Sequence, residues 1–208
     1  MTTWLHEQRL EAVLAAIRES GARSVLDLGC GDGSLLVRLA QDAAVARIVG
    51  IDLSSDSLAR LRKKLQALPD ENREKVELIH GSISEPRRLL AGFDAAVLVE
   101  TIEHIDPDRL SLVERRVFQD MRPETVVITT PNGDFNPLLG VPPHRFRHPD
   151  HRFEWGRAKF RSWAEGVAER NGYAVTCRDV AGAHPVHGGA SQMALLRQRT
   201  DSRERSAA

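Results

Sequence analysis

Three side chains that can bind a metal ion follow one apolar run of the sequence. The run Ala95–Val99 is typical of a buried strand, and Glu100, Glu103 and His104 come directly after it. If the chain turns helical there, the spacing i, i+3 and i+4 brings the three side chains to one side. Two carboxylates and an imidazole that converge on one point lose hydration and repel each other unless a cation lies between them. Oxygen and nitrogen ligands together suit Mg²⁺, Mn²⁺, Fe²⁺ or Co²⁺.

The alternative explanation of this motif is a solvent-exposed helix start, because the helix dipole alone favours acidic residues in a first turn. Further candidate ligands lie in a later segment, which contains His144, His148 and His151. A single histidine in such a segment is more often a surface residue. We therefore expect only one of these three to bind a metal.

A glycine-rich turn near the beginning of the chain is typical of a nucleotide site. An apolar strand over residues 24–28 runs into Gly29, Gly31 and Gly33, and a helix is predicted directly afterwards. Glycines in this context let the backbone approach a ligand closely, although a plain tight turn is the alternative. The next predicted strand ends in Asp52, where nucleotide-binding sheets place an acid on the ribose hydroxyls.

Strands and helices alternate along the chain and must position these residues. Helical spacing predicts helices over residues 4–20, 34–41, 57–67, about 107–121 and 156–171. Strands are predicted over residues 24–28, 47–52, 75–80, 93–99, 125–130, 173–180 and 191–197. This order predicts an α/β fold with a doubly wound, mostly parallel sheet. The last two strands suggest a terminal hairpin, so the last strand is expected to be antiparallel.

Length and composition limit the class of protein. The chain has 208 residues, enough for one α/β domain, and its 29 basic residues balance its 29 acidic ones. Two distant cysteines argue against a disulfide scaffold, and no apolar run is long enough to span a membrane. We expect a cytoplasmic protein with one domain over residues 1–197 and a disordered, charged tail over residues 198–208.

A long polar segment interrupts the alternation at residues 131–155. It is rich in Pro, Asn, His and Arg, and it follows the carboxyl end of a predicted strand, where open α/β sheets bind ligands. Basic residues interleaved with Phe and Trp suit a polyanion that carries bases for stacking. This segment is therefore predicted to contact a polyanion that carries bases.

Two sets of motifs carry a family resemblance. The segment Val-Leu-Asp-Leu-Gly-Cys-Gly-Asp-Gly over 25–33, with Gly-Ile-Asp at 50–52, resembles the class I S-adenosylmethionine methyltransferases, whose Rossmann-like sheet has seven strands. The motifs Glu-Thr-Ile-Glu-His at 100–104, Thr-Pro-Asn-Gly-Asp-Phe-Asn at 130–136 and Asp-His-Arg-Phe-Glu-Trp at 150–155 are similar to the Hen1 family. Members of that family are RNA 3′-terminal ribose 2′-O-methyltransferases. The resemblance covers nearly the whole chain.

The resemblance implies the cofactor and metal residues, and the basic segment over residues 131–155 supplies the expected RNA contacts. Those expected to contact S-adenosylmethionine are Asp27, Gly29, Gly31, Gly33, Asp52, Ser82 and Ile83, with Ser82 and Ile83 near the adenine. Those expected to hold a divalent metal, Mn²⁺ or Mg²⁺, and to serve catalysis are Glu100, Glu103, His104 and His151. Those expected to contact RNA are Asn132, Asn136, Arg145, Arg147 and Arg152, and the arginines are expected to contact phosphates.

The expected reaction is metal-dependent methylation of the 2′-hydroxyl of an RNA 3′-terminal nucleotide with free 2′,3′-hydroxyls. The resemblance to bacterial members implies RNA repair with a kinase–ligase partner, and an additional N-terminal domain commonly precedes their methyltransferase module. One alternative is a small-molecule methyltransferase of the same fold that uses no metal. A non-catalytic nucleotide-binding module and a metal hydrolase fit the combined motifs less well.

Overall fold

Seven strands form one sheet in the order β3-β2-β1-β4-β5-β7-β6. In this computed structural model, which describes residues 4–85 and 90–199, the strands span Ser24–Leu28 (β1), Arg47–Asp52 (β2), Val76–His80 (β3), Ala95–Val99 (β4), Thr125–Pro131 (β5), Tyr173–Val180 (β6) and Ser191–Gln198 (β7). Strands β1 to β5 pair in parallel, and β7 runs antiparallel to both β5 and β6. The predicted fold class is confirmed, including the antiparallel last strand.

Helices cover both faces of the sheet. The principal helices are Trp4–Ser20 (α1), Ser34–Gln41 (α2), Ser55–Gln66 (α3), Asp70–Arg73 (α4), Leu110–Arg115 (α5) and Arg157–Asn171 (α6). Successive residues of a strand point to opposite faces, so β1 contributes Val25 to the core under α1, α2 and α3, and Leu26 to the core under α5 and α6. Burial on both faces explains why β2 and β4 were recognisable as apolar runs.

Strands β1 and β4 lie side by side, although β2 and β3 separate them in sequence. The order in which strands are added to the sheet therefore reverses between β1 and β4. Such a topological switch point leaves a crevice outside the carboxyl ends of the two strands. The glycine turn follows β1 and the acidic motif follows β4. The fold therefore brings the two sequence motifs to one place.

The region after β4 departs from the predicted continuous helix over residues 107–121. It consists of a 3₁₀ turn at Pro107–Arg109, helix α5 and a π-helical turn at Arg116–Met121. The π turn closes where the Arg122 N–H donates to the Val117 carbonyl, with Arg122 in a left-handed conformation at φ +47°. Hydrophobic periodicity alone cannot distinguish this wider turn from an α-helix.

Smaller differences occur at other element ends. Helix α3 begins at Ser55, because the Ser54 hydroxyl caps it by accepting from the Ser57 N–H. Strand β4 begins at Ala95 instead of residue 93, since the Asp94 carboxylate accepts from the Arg23 and Ser24 N–H groups. Strand β7 extends to Gln198, and residues 200–208 of the predicted tail lie outside the described residues. Within the described ranges, no helix is long and apolar enough to cross a membrane.

Candidate active site

A cavity of about 520 Å³ lies at the carboxyl ends of β1, β2 and β4. It contains most of the predicted cofactor residues together with two of the predicted metal ligands. The predicted residues that line it are Gly29, Gly31, Asp52, Ser82, Ile83, Glu100 and His104. A single cavity therefore connects the glycine turn to the acidic motif.

The glycine turn is tied to the end of β2 by its own backbone. The Gly29 and Cys30 N–H groups donate to the Ile51 carbonyl, and the Gly31 N–H donates to Asp52 Oδ2 over 2.7 Å. Gly29 has φ +84°, and a Cβ atom there would lie 2.6 Å from Thr101 Cγ2. Only glycine fits both this conformation and this close approach.

Two of the predicted cofactor residues do not line the cavity. A Cβ atom on Gly33 would lie 2.1 Å from Leu61 Cδ1, so this glycine permits close packing of α2 against α3. Asp27 is buried within β1, and its Oδ2 has no hydrogen-bond partner among the described residues. Burial, and secondly the charge of Asp52, raise the pKa of Asp27 to about 7.

Replacing Asp27 with asparagine is expected to stabilise the protein increasingly as pH rises. The pKa of Asp27 is about 7 in the native state and 3.8 for the ordinary group. Between these values the native state binds more protons than the unfolded chain, so wild-type stability falls as pH rises. The gain from Asp27→Asn should grow through this window by up to about 1.4 kcal/mol per pH unit. Urea unfolding from about pH 5 to about pH 8 measures it, and a gain independent of pH would contradict the assignment.

Replacing Asp52 with alanine is expected to weaken S-adenosylmethionine binding by about 10- to 100-fold. The carboxylate lines the cavity and accepts from Gly31 and Ser54, so it is held at the position where such sheets bind ribose hydroxyls. A hydrogen bond to a charged group contributes about 1.5–3 kcal/mol. Calorimetric titration measures the affinity. Asp56→Ala, at an exposed position of α3, is the control. Unchanged affinity in Asp52→Ala would refute this placement.

The two glutamates of the acidic motif lie in a buried environment and interact electrostatically with each other. Glu100 directly follows β4 with φ +51°, and Glu103 lies in a 3₁₀ turn at Ile102–His104 with no exposed surface. Glu103 Oε2 accepts from the Thr130 hydroxyl over 3.0 Å. Burial raises the pKa of both carboxyls, and the charge of Glu100 raises the pKa of Glu103 further.

Two buried oxygens in this pair are unsatisfied. Glu100 Oε1 and Glu103 Oε1 have no hydrogen-bond partner among the described residues. A buried carboxylate without a partner is costly unless a cation or proton compensates it. The oxygens therefore fit a divalent cation, and their spacing in the sequence had predicted this chemistry.

Helix α1 contributes a cation that the sequence analysis missed. Arg9 Nη2 lies 3.2 Å from Glu100 Oε2, and Arg9 Nε donates to the Ser191 hydroxyl. Arg9 lowers the pKa of Glu100, opposing part of the effect of burial. A lone arginine on an amphipathic helix is indistinguishable in sequence from a solvated one, so only the tertiary fold identifies this contact.

Three imidazoles form a separate cluster of possible metal ligands, and one of them, His104, belongs to the acidic motif. The rings of His104 and His151 are 4.8 Å apart between centroids, and His148 lies 5.9 Å from His104 and 5.6 Å from His151. Each histidine has a ring nitrogen that lies within 4.8 Å of a ring nitrogen of both other histidines. Burial, followed by the two neighbouring histidines, lowers the pKa of His104 and so favours the neutral form that binds metals.

The three histidines were not expected to converge. His151 was the predicted ligand, and it does lie beside His104. His148 joins them, although its position in the sequence did not distinguish it from a surface histidine. His144 is exposed with φ +65° and is not part of this group.

The five predicted RNA contacts divide into two sets. Asn132 donates to the His187 and Gly189 carbonyls, and Arg147 donates to Asn136 and to the Asn132 and Ala190 carbonyls. These three side chains thus hold residues 132–155 together and attach them to the connection between β6 and β7. Arg145 and Arg152 are exposed, and Arg152 lies 3.4 Å from Asp106 in an exposed ion pair.

The chain is similar in sequence to known methyltransferases. A family model described as a methyltransferase domain matches residues 26–127. A small RNA 2′-O-methyltransferase of Gallus gallus is 39% identical over 178 residues, which cover 82% of this chain and 47% of the relative. The chain thus spans about half the length of this relative.

Solved structures match over nearly the whole chain. The methyltransferase domain of bacterial CtHen1-C is 37% identical, with a TM-score of 0.85, and the match covers 94% of this chain and all of that domain. A structure of the small RNA methyltransferase HEN1 is 35% identical, with a TM-score of 0.86, over 95% of this chain and 26% of the other.

Proposed function

The chain belongs to the Hen1 methyltransferase family, and from this premise we propose that it methylates the 2′-hydroxyl of the 3′-terminal nucleotide of RNA. The methyl donor would be S-adenosylmethionine. The observation that carries the proposal is the single cavity that joins the glycine turn and Asp52 to Glu100 and His104. A donor on one side and an acceptor on the other would meet within that cavity.

The donor would occupy the side formed by β1 and β2. Asp52 is held by two backbone N–H groups and would accept hydrogen bonds from the ribose hydroxyls. Ser82 and Ile83 line the same cavity and would lie near the adenine. Methyl transfer from a sulfonium requires in-line approach of the acceptor, so holding both partners rigidly provides a large part of the rate.

We propose that Glu100, Glu103, His104 and His151 hold a divalent metal, either Mn²⁺ or Mg²⁺. When bound, such an ion supplies a Lewis acid that lowers the pKa of a hydroxyl group and orients it. The two unsatisfied carboxylate oxygens and the adjacent imidazoles support this assignment. A His104 that holds the ion cannot also accept the proton of the acceptor hydroxyl, because a neutral imidazole has one lone pair, so that proton would pass to solvent.

Arg145 and Arg152 are proposed to contact RNA phosphates, because both are exposed and cationic. Asn132, Asn136 and Arg147 are proposed to act on RNA indirectly, by holding the loop that carries His151. Residues 1–197 are proposed to form one methyltransferase domain. A role in RNA repair with a kinase–ligase partner remains a prediction from the bacterial members of the family.

Transfer of labelled methyl from S-adenosylmethionine to a short RNA with free 3′ hydroxyls tests the proposed activity. We expect incorporation with added Mn²⁺ or Mg²⁺, and background incorporation after chelation. Full incorporation after chelation would remove the metal from the proposal and favour a metal-free methyltransferase. Absence of incorporation under all metal conditions, by protein that binds S-adenosylmethionine, would contradict an RNA 3′-end substrate.

A further inference from the structure

Glu154 is a buried carboxylate at the centre of the loop that carries His151. Its side chain is 1% exposed, and the side chain of His151 is 8% exposed. Glu154 Oε1 lies 2.5 Å from His151 Nδ1 and accepts from the Arg147 N–H over 2.7 Å. Glu154 Oε2 accepts from Asn136 Nδ2 over 2.6 Å. The carboxylate is thus surrounded by donors.

This arrangement determines which nitrogen of His151 carries the proton. An ionised carboxylate can only accept hydrogen bonds, so His151 Nδ1 must donate. In a neutral imidazole with Nδ1 protonated, the lone pair is on Nε2. Nε2 is then the nitrogen available to a metal.

The surrounding hydrogen bonds hold Asn136 and Arg147 in place, so neither residue can reorient to suit a different side chain at position 154. Arg147 Nε donates to Asn136 Oδ1 over 2.6 Å, which fixes the amide so that Nδ2 faces Glu154. The Arg147 guanidinium is held in turn by the carbonyls of Asn132 and Ala190. A neutral amide in place of Glu154 would therefore direct an NH₂ group at a donor in either orientation.

We propose that Glu154 is a positioning residue that holds His151 as the Nδ1–H tautomer, with Nε2 directed to the metal. The inference rests on the proposed function for the identity of His151 as a ligand. The hydrogen bonds themselves are independent of any metal. Carboxylates that orient a ligating histidine in this way commonly change metal affinity by about 10- to 100-fold when removed.

The tautomer of His151 can be measured in the metal-free protein. Two-bond ¹H–¹⁵N NMR spectra distinguish the two neutral tautomers, and a His151→Asn variant identifies the signal among the eight histidines of the chain. We expect the Nδ1–H form in the wild type and a substantial Nε2–H population in Glu154→Gln. A wild-type His151 in the Nε2–H form would overturn the proposal, whatever the metal does.

Metal affinity supplies the second readout. Calorimetric titration with Mn²⁺ should show binding about 10- to 100-fold weaker in Glu154→Gln than in the wild type. Glu154→Asp keeps an acceptor-only group and should recover part of the affinity, which also covers the case that the glutamine variant does not fold. Glu165→Gln, on the exposed face of α6, is the matched control. Affinities equal to wild type in both Glu154 variants would overturn the positioning role.

The two readouts separate this inference from the proposed function. Wild-type protein that binds no Mn²⁺ would refute the metal site. The positioning of His151 by Glu154 would still be decided by the tautomer measurement. Conversely, a wild type that binds Mn²⁺ tightly and a Glu154→Gln variant that binds it equally well would leave the metal site intact and refute the inference.

Discussion

Replacing Glu103 with glutamine is expected to reduce methyl transfer to RNA by about 10³-fold and to leave S-adenosylmethionine affinity nearly unchanged. Glutamine has the same shape as glutamate and can still accept from Thr130, so the Oε2 hydrogen bond is retained. The change removes the negative charge and one of the two unsatisfied oxygens. A Lewis acid contributes several kcal/mol to a transition state, and each 1.4 kcal/mol is about tenfold in rate.

Glu103→Gln should reduce activity without reducing cofactor binding because of where Glu103 lies. Glu103 does not line the cavity that contains Asp52 and the glycine turn, whereas Glu100 does. Glu103→Gln is therefore the more selective test of the two. Glu77→Gln, on an exposed position of β3, should have wild-type activity and controls for loss of a surface charge. Wild-type turnover by Glu103→Gln would remove Glu103 from the metal site, and loss of cofactor binding would indicate a folding defect.

RNA molecules that differ only in the terminal ribose should differ by orders of magnitude in turnover. If four protein side chains hold the ion, few coordination positions remain, and a vicinal diol can fill two of them. An RNA that ends in 3′-deoxyribose retains the acceptor hydroxyl and loses one potential ligand, so its turnover should fall by orders of magnitude. RNA that ends in 2′-deoxyribose lacks the acceptor and should be inert.

A 3′-phosphate should also abolish turnover, because it replaces the neighbouring hydroxyl and crowds the metal. Competition experiments with a labelled 2′,3′-hydroxyl RNA separate weak binding from slow chemistry. The part of the affinity that Arg145 and Arg152 supply should be salt-sensitive and similar for all four RNAs if these arginines contact phosphates only. Efficient methylation of the 3′-deoxy RNA would contradict the requirement for a terminal diol.

The fold was largely predictable because its determinants are local. Mostly apolar runs end at Leu28, Ile51 and Val99, and each is followed by a glycine or a charged side chain. Buried parallel strands produce such runs directly. The switch point then follows from strand order alone, and Asp52 and Glu100 line one cavity there.

The parts of the site that could not be predicted depend on contacts between distant segments. Arg9 and Glu100 are 91 positions apart, and nothing near Arg9 in the sequence distinguishes it from a solvated residue. Arg147 was interpreted as an RNA contact because it lies in a basic segment. Its guanidinium instead contacts carbonyls and Asn136 inside the protein. A basic residue in a loop can neutralise an internal carboxylate as readily as an external phosphate, and sequence does not distinguish the two.

The position of the transferred methyl group shows directly whether the protein modifies the 2′-hydroxyl at the 3′ end of RNA. A synthetic RNA with free 2′,3′-hydroxyls is incubated with the protein, S-adenosylmethionine and Mn²⁺, digested to nucleosides and fragments, and analysed by tandem mass spectrometry. We expect one added methyl group per molecule, on the 2′-oxygen of the 3′-terminal ribose. A methyl group on an internal ribose or on a base would contradict it.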